Sequence, residues 1–244
     1  MTFSAFGSFQ PVSNQRDRSS AVLFSYVGLK RIGTSTTGKP LPPKTPEQLS
    51  VEFGDSVLLC RQGARTDRWR RALETLEADP IFRDAEIASL ASVEGDDELK
   101  AAAKTLFQRL SSGHKIVLLT VTRLVQSVEE KTLVLIDEPE AHLHPPLLAA
   151  FVRALSDLLI NRNGVAIIAK HSPVVLQEVP RSCVWKIRRA GSRVVAERSD
   201  IETFGENVGV LTREVLGLEV TRSGFHKMLR DAVAETPDFD AIVE

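Results

Sequence analysis

The most constraining segment of this sequence is a short apolar run that ends in two acidic residues. Residues 133–136 read Leu-Val-Leu-Ile, and Asp137, Glu138 and Pro139 follow directly. A continuous run of strand-forming residues is typical of a buried parallel strand. The carboxyl ends of such strands form the edge where α/β proteins bind ligands. One carboxylate there can hold the water shell of Mg²⁺ while the next activates an attacking water, so the pair predicts a site for a magnesium-bound nucleotide.

A strand–helix–strand unit follows from the pattern around this run. Residues 147–160 are strongly helical, with two prolines at 145–146 that favour a helix start and Asn-Gly at 163–164 that favours a stop. Val165–Ala169 reads as a second buried strand, and residues 170–173, Lys-His-Ser-Pro, come directly after it. The crossover predicts a parallel, right-handed pair of strands.

The rest of the chain predicts further helices and a hairpin, arranged in four parts. We expect residues 1–45 to hold a strand and a loop of the core, residues 46–109 a helical subdomain, residues 110–200 the main core and residues 201–244 a helical tail. The elements predicted within these parts are a strand at 21–27, a loop at 33–46, a segment at 47–63 that fits either strand or helix, a helix at 67–78 that Pro80 ends, with Trp69, Ala72, Leu73 and Leu76 on one face, a short helix within 81–94, helices at 96–109 and 111–128, and a hairpin of 184–189 with 193–198.

Composition excludes few functions for this chain. A length of 244 residues suffices for one sizeable α/β core, and the net charge of −1 gives no general sign of nucleic-acid or membrane binding. No apolar run approaches the length of a membrane span. Cys60 and Cys183 lie far apart without metal-binding spacing, which favours a reducing, cytoplasmic location.

Three motifs in order resemble the nucleotide-binding domain of ABC-type ATPases. They are Leu-Ser-Ser-Gly at 110–113, Leu-Val-Leu-Ile-Asp-Glu-Pro at 133–139 and His-Ser-Pro at 171–173. The resemblance covers residues 107–189 and is to the SMC-like and RecF-like branch, including the defence-associated AAA family ATPases such as the Septu-like ATPase component. It implies an α/β fold of P-loop NTPase type with ABC ATPase topology, in which a mainly parallel sheet is flanked by helices and accompanied by a helical subdomain.

The resemblance implies a role for each motif residue. Ser111, Ser112 and Gly113 match the signature loop that caps the γ-phosphate of a nucleotide held by the partner protomer. Hydroxyls and free N–H groups at a helix start do attract anions, and glycine permits close approach. The structural alternative is a serine that caps a core helix. Asp137 matches the Walker B aspartate that holds Mg²⁺ through water. The structural alternative for this residue is a position in an acidic loop that leads into the next helix.

The hydrolytic residues follow from the same resemblance. Glu138 matches the general base, and His171 matches the switch histidine that contacts the γ-phosphate and positions the water. A lone histidine after a strand usually has no special role. Lys170 replaces the small hydroxyl residue of relatives, and it either adds positive charge near phosphate or perturbs the switch. Glu140 fits a structural or solvent-facing position.

Three other features favour structural interpretations. His142 and His144 have metal-like spacing, but the sequence offers no third ligand, which favours a structural or interfacial role. The basic stretch at 65–71 could contact nucleic acid, although acidic neighbours favour a solvated helix face with its tryptophan turned inward. The Asp-Phe-Asp sequence at 238–240 lies in a weakly structured tail and favours no metal site.

A phosphate-binding loop of the pattern G-x-x-x-x-G-K-[ST] is missing from the sequence. The nearest match, residues 33–40, ends in Pro40 and is followed by further prolines, so it offers neither the hydroxyl for magnesium nor the helix dipole. We expect a flexible loop there. The resemblance implies that the first strand, the P-loop and the first helix lie before Met1, in a split, truncated or internally started protein.

Two functions remain open at this point. The first is the signature, Walker B and switch half of an ATPase that uses ATP and Mg²⁺ at a dimer interface, as a homodimer or with a P-loop-bearing partner, coupled to a DNA-directed or anti-phage effector such as a nuclease. The alternative is a non-catalytic scaffold that uses a degenerate ATPase fold to dock a partner. The missing P-loop favours the scaffold, and the intact Asp137, Glu138 and His171 favour the ATPase.

Overall fold

Helices make up most of the described residues up to Ser172. The computed structural model describes residues 24–33, 41–216 and 224–235. The chain divides into two compact units, Met1–Ser172 and Pro173–Glu244. The elements of the first unit are α1 (Pro46–Cys60), α2 (Arg65–Leu76), α3 (Pro80–Asp84), a 3-10 helix (Ile87–Ser92), α4 (Asp96–Arg109), α5 (Ser112–Ser127), β1 (Leu133–Asp137), a 3-10 helix (Pro139–His142), α6 (Pro145–Ile160) and β2 (Val165–Ala169).

The ambiguous segment at 47–63 is a helix because its start is strongly specified. Thr45 accepts a hydrogen bond from the N–H of Gln48, the Gln48 side chain accepts one from the N–H of Thr45, and Pro46 occupies the first turn. Phe53 and Val57 are fully buried one turn apart, and Phe53 stacks on Phe107 of α4 with ring centroids 4.9 Å apart. The capping box and this packing together decide the helix.

The helices α2 and α4 confirm the amphipathic patterns, with one correction. Trp69, Ala72, Leu73 and Leu76 are all buried, as predicted for one face of α2. Pro80 does not end that helix, however. The chain leaves the helix after Leu76, and Pro80 instead begins α3, because Asp79 caps the new helix by accepting hydrogen bonds from the N–H groups of Ile81 and Phe82.

The two central strands form the predicted parallel pair. The register pairs Leu133 with Val165 and Asp137 with Ala169, and α6 makes the crossover between them. The expectation that β1 is buried on both faces is wrong. Val134 and Ile136 are buried, whereas the alternate residues of both strands form an exposed aliphatic face, namely Leu133, Leu135, Val165 and Ile167, with exposed fractions between 54% and 60%.

The mainly parallel sheet expected from the sequence is smaller in the described residues. These contain one parallel two-stranded sheet and one separate antiparallel hairpin. The predicted strand at 21–27 begins outside the described residues, and residues 24–27 are irregular. Most of the predicted loop at 33–46, including residues 34–40 of the near P-loop match, also lies outside them.

The second unit contains short helices and the predicted hairpin. Its core holds Leu176, Val184, Leu211 and Val215. The strands pair in antiparallel fashion about a turn in which Gly191 has φ +60, a left-handed value that glycine adopts without strain. The elements are α7 (Pro173–Gln177), a 3-10 helix (Arg181–Cys183), β3 (Trp185–Ala190), β4 (Arg193–Arg198), α8 (Val208–Glu214) and α9 (Gly224–Glu235).

The compact units differ from the predicted division of the chain. Residues 46–109 were expected to form a subdomain, but α1 packs against α5, and α2 packs against both α5 and α6. These helices therefore share one unit with the strands, and the boundary between units follows Ser172. Within the described part of the chain, every helix is too short or too polar to cross a membrane.

The buried pair of Trp69 and Thr122 provides a test of this packing. The indole Nε1–H of Trp69 donates a 3.1 Å hydrogen bond to Thr122 Oγ1, and both residues are fully buried. We expect Trp69→Phe and Thr122→Val each to lower the free energy of unfolding by about 1–3 kcal/mol, because each leaves a buried polar group unpaired. The double variant should lose less than the sum of the two, since it removes both polar groups. Urea unfolding of all four proteins measures this, and strictly additive losses would contradict the hydrogen bond.

Candidate functional site

The carboxyl edge of the parallel sheet brings the predicted acidic residues next to β2. Asp137 is the last residue of β1, and the backbone N–H of Glu138 donates a 2.9 Å hydrogen bond to the carbonyl of Ala169. Because side chains alternate along a strand, Asp137 belongs to the same face as Leu133 and Leu135 and is itself exposed. The β1–β2 pairing thus continues one residue beyond the strand and holds the start of the acidic turn.

Glu138 has an unusual backbone conformation. Its φ of +44 and ψ of +61 lie in the left-handed region, which non-glycine residues seldom adopt. Such a conformation costs on the order of 1–3 kcal/mol and persists where surrounding contacts impose it. The Glu138 Oε1 atom lies 3.5 Å from Nε2 of His171, and the two side chains are 49% and 86% exposed. The structure therefore brings the predicted base and the predicted switch histidine together in an open position.

Glu140 fixes the backbone of the segment that carries His171. Its Oε1 atom accepts hydrogen bonds from the backbone N–H of His171 and, at 2.8 Å, from that of Ser172. The Oε2 atom is buried and has no hydrogen-bond partner. A carboxylate that accepts hydrogen bonds from two backbone N–H groups resists movement of residues 171–172, because breaking these bonds would leave buried charge unpaired. Of the two alternatives left by the sequence, Glu140 has the structural one.

Lys170 precedes His171 in the same segment, and its side chain is partly buried. Its Nζ donates a 3.1 Å hydrogen bond to the carbonyl of Ser172. Burial lowers the pKa of Lys170 from 10.5 to about 8, and the negative charge of Glu140 partly offsets this effect. The lysine therefore contributes a partly desolvated positive charge that contacts the backbone after His171.

The serine-glycine motif begins α5, a largely buried helix of sixteen residues. Ser111 is the N-cap of α5, Ser112 is exposed and Gly113 is buried. The Ser111 Oγ atom accepts a long, 3.5 Å hydrogen bond from the N–H of His114 and lies 2.7 Å from Nδ1 of the same residue. The capping role given as the structural alternative is thus present, and the exposed side of the turn stays open to solvent.

The predicted site residues fall into two groups. Glu138 and His171 are in contact, and Asp137 precedes them on the same edge. Among the residues that the structure describes, no hydrogen bond or ion pair joins residues 111–113 to Asp137, Glu138 or His171. The serine-glycine turn is connected instead, through His114 and Asp79, to His144.

Sequence reasoning missed Asp79 and His114. Asp79 belongs to the turn before α3, His114 lies within α5, and their side chains are 3.0 Å apart across 35 positions of sequence. An Asp-Pro pair does signal a helix start, so the capping role of Asp79 was accessible. The contact with His114 has no local signal, because only the packing of α3 beside α5 creates it.

The basic stretch at 65–71 has the structural role that the sequence favoured. Trp69 is fully buried in α2, and Arg70 pairs with Asp67 at 3.2 Å on the exposed side. Residues 238–240 lie outside the described residues.

Comparison with known proteins identifies the family. Residues 46–177 match the family model described as "AAA domain, putative AbiEii toxin, Type IV TA system". The chain belongs to this AAA-domain family. The match contains Asp137, Glu138, His171 and the turn at 111–113. Membership gives the chain an α/β fold of P-loop NTPase type and places it among AAA-type ATPase domains, whose general activity is binding and hydrolysis of ATP with Mg²⁺.

A curated relative extends the similarity beyond the matched domain. The chain is 44% identical, over 261 aligned residues, to Protein ea59 of Escherichia phage lambda. The alignment covers 100% of this chain and 49% of that protein, so the chain spans about half the length of the relative.

Lys170 gives the AAA domain a testable dependence on pH. The folded-state pKa of about 8 lies below the ordinary 10.5, so between these values the unfolded chain binds more protons and stability rises with pH. Lys170→Met removes this contribution. We expect the variant to be the more stable protein at neutral pH, and its advantage to shrink as pH rises through the window from about 8 to 10.5. Urea unfolding of both proteins over this range is the measurement, and parallel profiles would contradict the lowered pKa.

Proposed function

We propose that this chain carries the hydrolytic part of an ABC-type ATPase. In this proposal Asp137 would hold Mg²⁺ through its water shell, and the ion would neutralise phosphate charge. Glu138 accepts a proton from the water that attacks the γ-phosphate, and His171 contacts that phosphate. The observation that carries the proposal is the 3.5 Å approach of Glu138 Oε1 to His171 Nε2 at the carboxyl edge of β1 and β2. A base and a hydrogen-bonding imidazole on one open edge are suited to position water for in-line attack.

The surroundings of these residues support such a role. The left-handed backbone of Glu138 is a strained conformation of the kind that accumulates at active sites. Glu140 accepts the amides of His171 and Ser172, which limits how far the imidazole can move from Glu138. Phosphoryl transfer depends mainly on positioning and on charge stabilisation. A fixed backbone around the exposed Glu138 carboxylate would therefore help to position the attacking water.

In the same proposal the turn at 111–113 acts on a nucleotide bound by another protomer. Ser112 is exposed at the first turn of a sixteen-residue helix, where N–H groups and the helix dipole attract an anion. The polar contacts of this turn connect Ser111 through His114 to Asp79 and His144, rather than to Asp137 or Glu138. A cap of this kind would complete the site of a second copy of the chain, which makes a homodimer the expected assembly.

The exposed aliphatic face of the parallel sheet supports completion by a P-loop-bearing segment. Four aliphatic side chains on β1 and β2 are more than half exposed, and Asp137 follows on the same face. Burial of such side chains stabilises by roughly 25 cal/mol per Å². A segment that covers this face and carries a phosphate-binding loop would bring the triphosphate toward Asp137.

We also propose that the ATP cycle drives an effector directed at DNA or at phage infection, with a nuclease or a nucleic acid as partner. The support is the description of the family as one that includes a toxin of a type IV system. This is an analogy at the level of the family, since a shared fold does not transfer an activity.

The second candidate is a non-catalytic scaffold. The exposed aliphatic face and the missing P-loop pattern favour it, because both also fit a docking domain that does not hydrolyse ATP. The ATPase needs Glu138 to hydrolyse ATP once a P-loop-bearing segment has completed its site, whereas the scaffold does not hydrolyse ATP.

Replacement of the base tests the ATPase. In the chain complemented by its P-loop-bearing segment or partner, we expect Glu138→Gln to lower ATP turnover by at least about 100-fold, because glutamine cannot accept the proton. ATP-dependent association should persist, since glutamine preserves the shape of the side chain. Phosphate release measures turnover, and size-exclusion chromatography with ATP and Mg²⁺ measures association.

Glu94→Gln is the matched control, because Glu94 is exposed and lies outside the proposed site. Its turnover should equal that of the unaltered chain. Equal turnover of Glu138→Gln and Glu94→Gln would remove Glu138 from its role, and absence of ATP turnover by the unaltered complemented chain would favour the scaffold. Calorimetry of the isolated chain with ATP and Mg²⁺ tests the complementation. Binding at micromolar affinity would contradict it, because the P-loop supplies most phosphate contacts.

A further inference from the structure

A buried polar cluster connects three helix starts behind the serine-glycine turn. Asp79 before α3, His114 in α5 and His144 before α6 each bring one ligand atom to within 4.8 Å of the other two. Asp79 and His114 are almost completely buried, and the side chain of His144 is 45% exposed. Two imidazoles and a carboxylate at this separation are a donor set that transition metals prefer.

The two oxygens of Asp79 are used very unequally. Oδ1 accepts hydrogen bonds from the N–H groups of Ile81 and Phe82, at 3.0 and 3.2 Å, and lies 3.0 Å from Nε2 of His114. Oδ2 is also buried but has no hydrogen-bond partner, and Nε2 of His144 lies 3.6 Å from it. A buried carboxylate oxygen without a partner is costly, and a bound cation removes that cost.

The distances between the three side chains suit a tetrahedral ion. Zinc binds histidine nitrogen and carboxylate oxygen at about 2.0–2.2 Å, which places neighbouring tetrahedral ligands roughly 3.3 Å apart. Nε2 of His114 lies 3.0 Å from Asp79 Oδ1, Nε2 of His144 lies 3.6 Å from Asp79 Oδ2, and the ligand atoms of the three side chains all lie within 4.8 Å of one another. Magnesium prefers oxygen ligands in octahedral geometry, so two imidazoles disfavour it. The side chain of His144 is 45% exposed, so this ligand is accessible to an ion from solvent, and water would supply the fourth ligand.

We propose that Asp79, His114 and His144 form a zinc-binding site, with Asp79 Oδ2 and Nε2 of each histidine as ligands. The site is separate from the magnesium site proposed at Asp137, and its existence does not depend on ATP hydrolysis. It also reverses the interpretation of His144 from sequence, where no third ligand was evident. The missing ligands come from positions 30 and 65 residues earlier in the chain.

The same site sets the orientation of the Ser111 hydroxyl. A neutral imidazole carries one proton. Without metal, the 3.0 Å contact is made by Nε2–H of His114 donating to Asp79, and Nδ1 then accepts the hydroxyl proton of Ser111 at 2.7 Å. With Nε2 on zinc, the proton resides on Nδ1 and donates to Ser111 Oγ. The Ser111 O–H is then free to donate to an anion, and this second step rests on the proposed function of the turn.

The experiment is a zinc titration of the full chain by calorimetry after removal of metals with a chelator. We expect one Zn²⁺ per chain, retained in excess Mg²⁺. Bound Co²⁺ should show the intense visible absorption of tetrahedral coordination. His144→Ala should weaken zinc binding by at least about 100-fold, because loss of a direct ligand exceeds the 10–100-fold cost of losing an outer partner. His144 makes no side-chain capping bond to α6, so this variant should fold.

His171→Ala is the matched control, since it removes an exposed imidazole outside the cluster and should leave zinc affinity unchanged. Asp79→Asn provides a second variant that keeps an oxygen for the cap of α3 but loses the charge, and it should also lose zinc. Circular dichroism confirms that each variant is folded. Absence of stoichiometric zinc binding by the unaltered chain, or equal affinities of His144→Ala and His171→Ala, would overturn the site.

A separate measurement addresses the link to Ser111. In the complemented ATPase, removal of zinc should weaken ATP-dependent association, and Ser111→Ala should abolish the difference between zinc-loaded and zinc-free protein. Zinc binding without any effect on association would overturn the link to Ser111 but leave the metal site intact. Zinc binding in a complex that never hydrolyses ATP would count against the proposed ATPase alone.

Discussion

The parallel register of β1 and β2 is the constraint on which the candidate site depends. It places Asp137 opposite Ala169 and lets the N–H of Glu138 bond to the Ala169 carbonyl. A shift by one residue would turn Asp137 to the opposite face and bring an aliphatic residue to the exposed one. The approach of Glu138 to His171 then follows, because both residues leave neighbouring strands at the same edge.

Two carboxylates, that of the partly buried Glu140 and that of the fully buried Asp79, each hold a backbone segment of the first unit. Glu140 accepts hydrogen bonds from the backbone N–H groups of residues 171–172, which precede α7. Asp79 accepts hydrogen bonds from the backbone N–H groups of residues 81–82, in the first turn of α3. Each has one oxygen that is fully used and one that is buried without a hydrogen-bond partner. Such groups tie backbone segments together strongly, because any displacement leaves charge unpaired in a medium of low dielectric constant. Asp79 additionally reaches α5 and α6 through two histidines, so the serine-glycine turn and the turn before α6 share one carboxylate.

Local elements of the fold were predictable where one periodicity dominated. The boundaries of α4 and the buried face of α2 followed from helical spacing, and the hairpin followed from alternation about Gly191. The segment at 47–63 could not be decided by periodicity, and its helix depends on a capping box and on stacking of Phe53 against Phe107. The exposed face of β1 was not predictable, because a run of four apolar residues looks the same whether one side or both are covered.

The sequence alone determined which residues could carry chemistry: an acidic pair after a strand, a histidine after the next and a serine-glycine helix start. It also determined the parallel pairing, since strand–helix–strand connections leave little other choice. Only the tertiary structure decided which groups meet. The contact of Glu138 with His171, the clamp of Glu140 on the amides after Lys170 and the cluster of Asp79, His114 and His144 all join positions more than 25 residues apart. No local pattern encodes such contacts, because they arise from the packing of helices and strands that are remote in sequence.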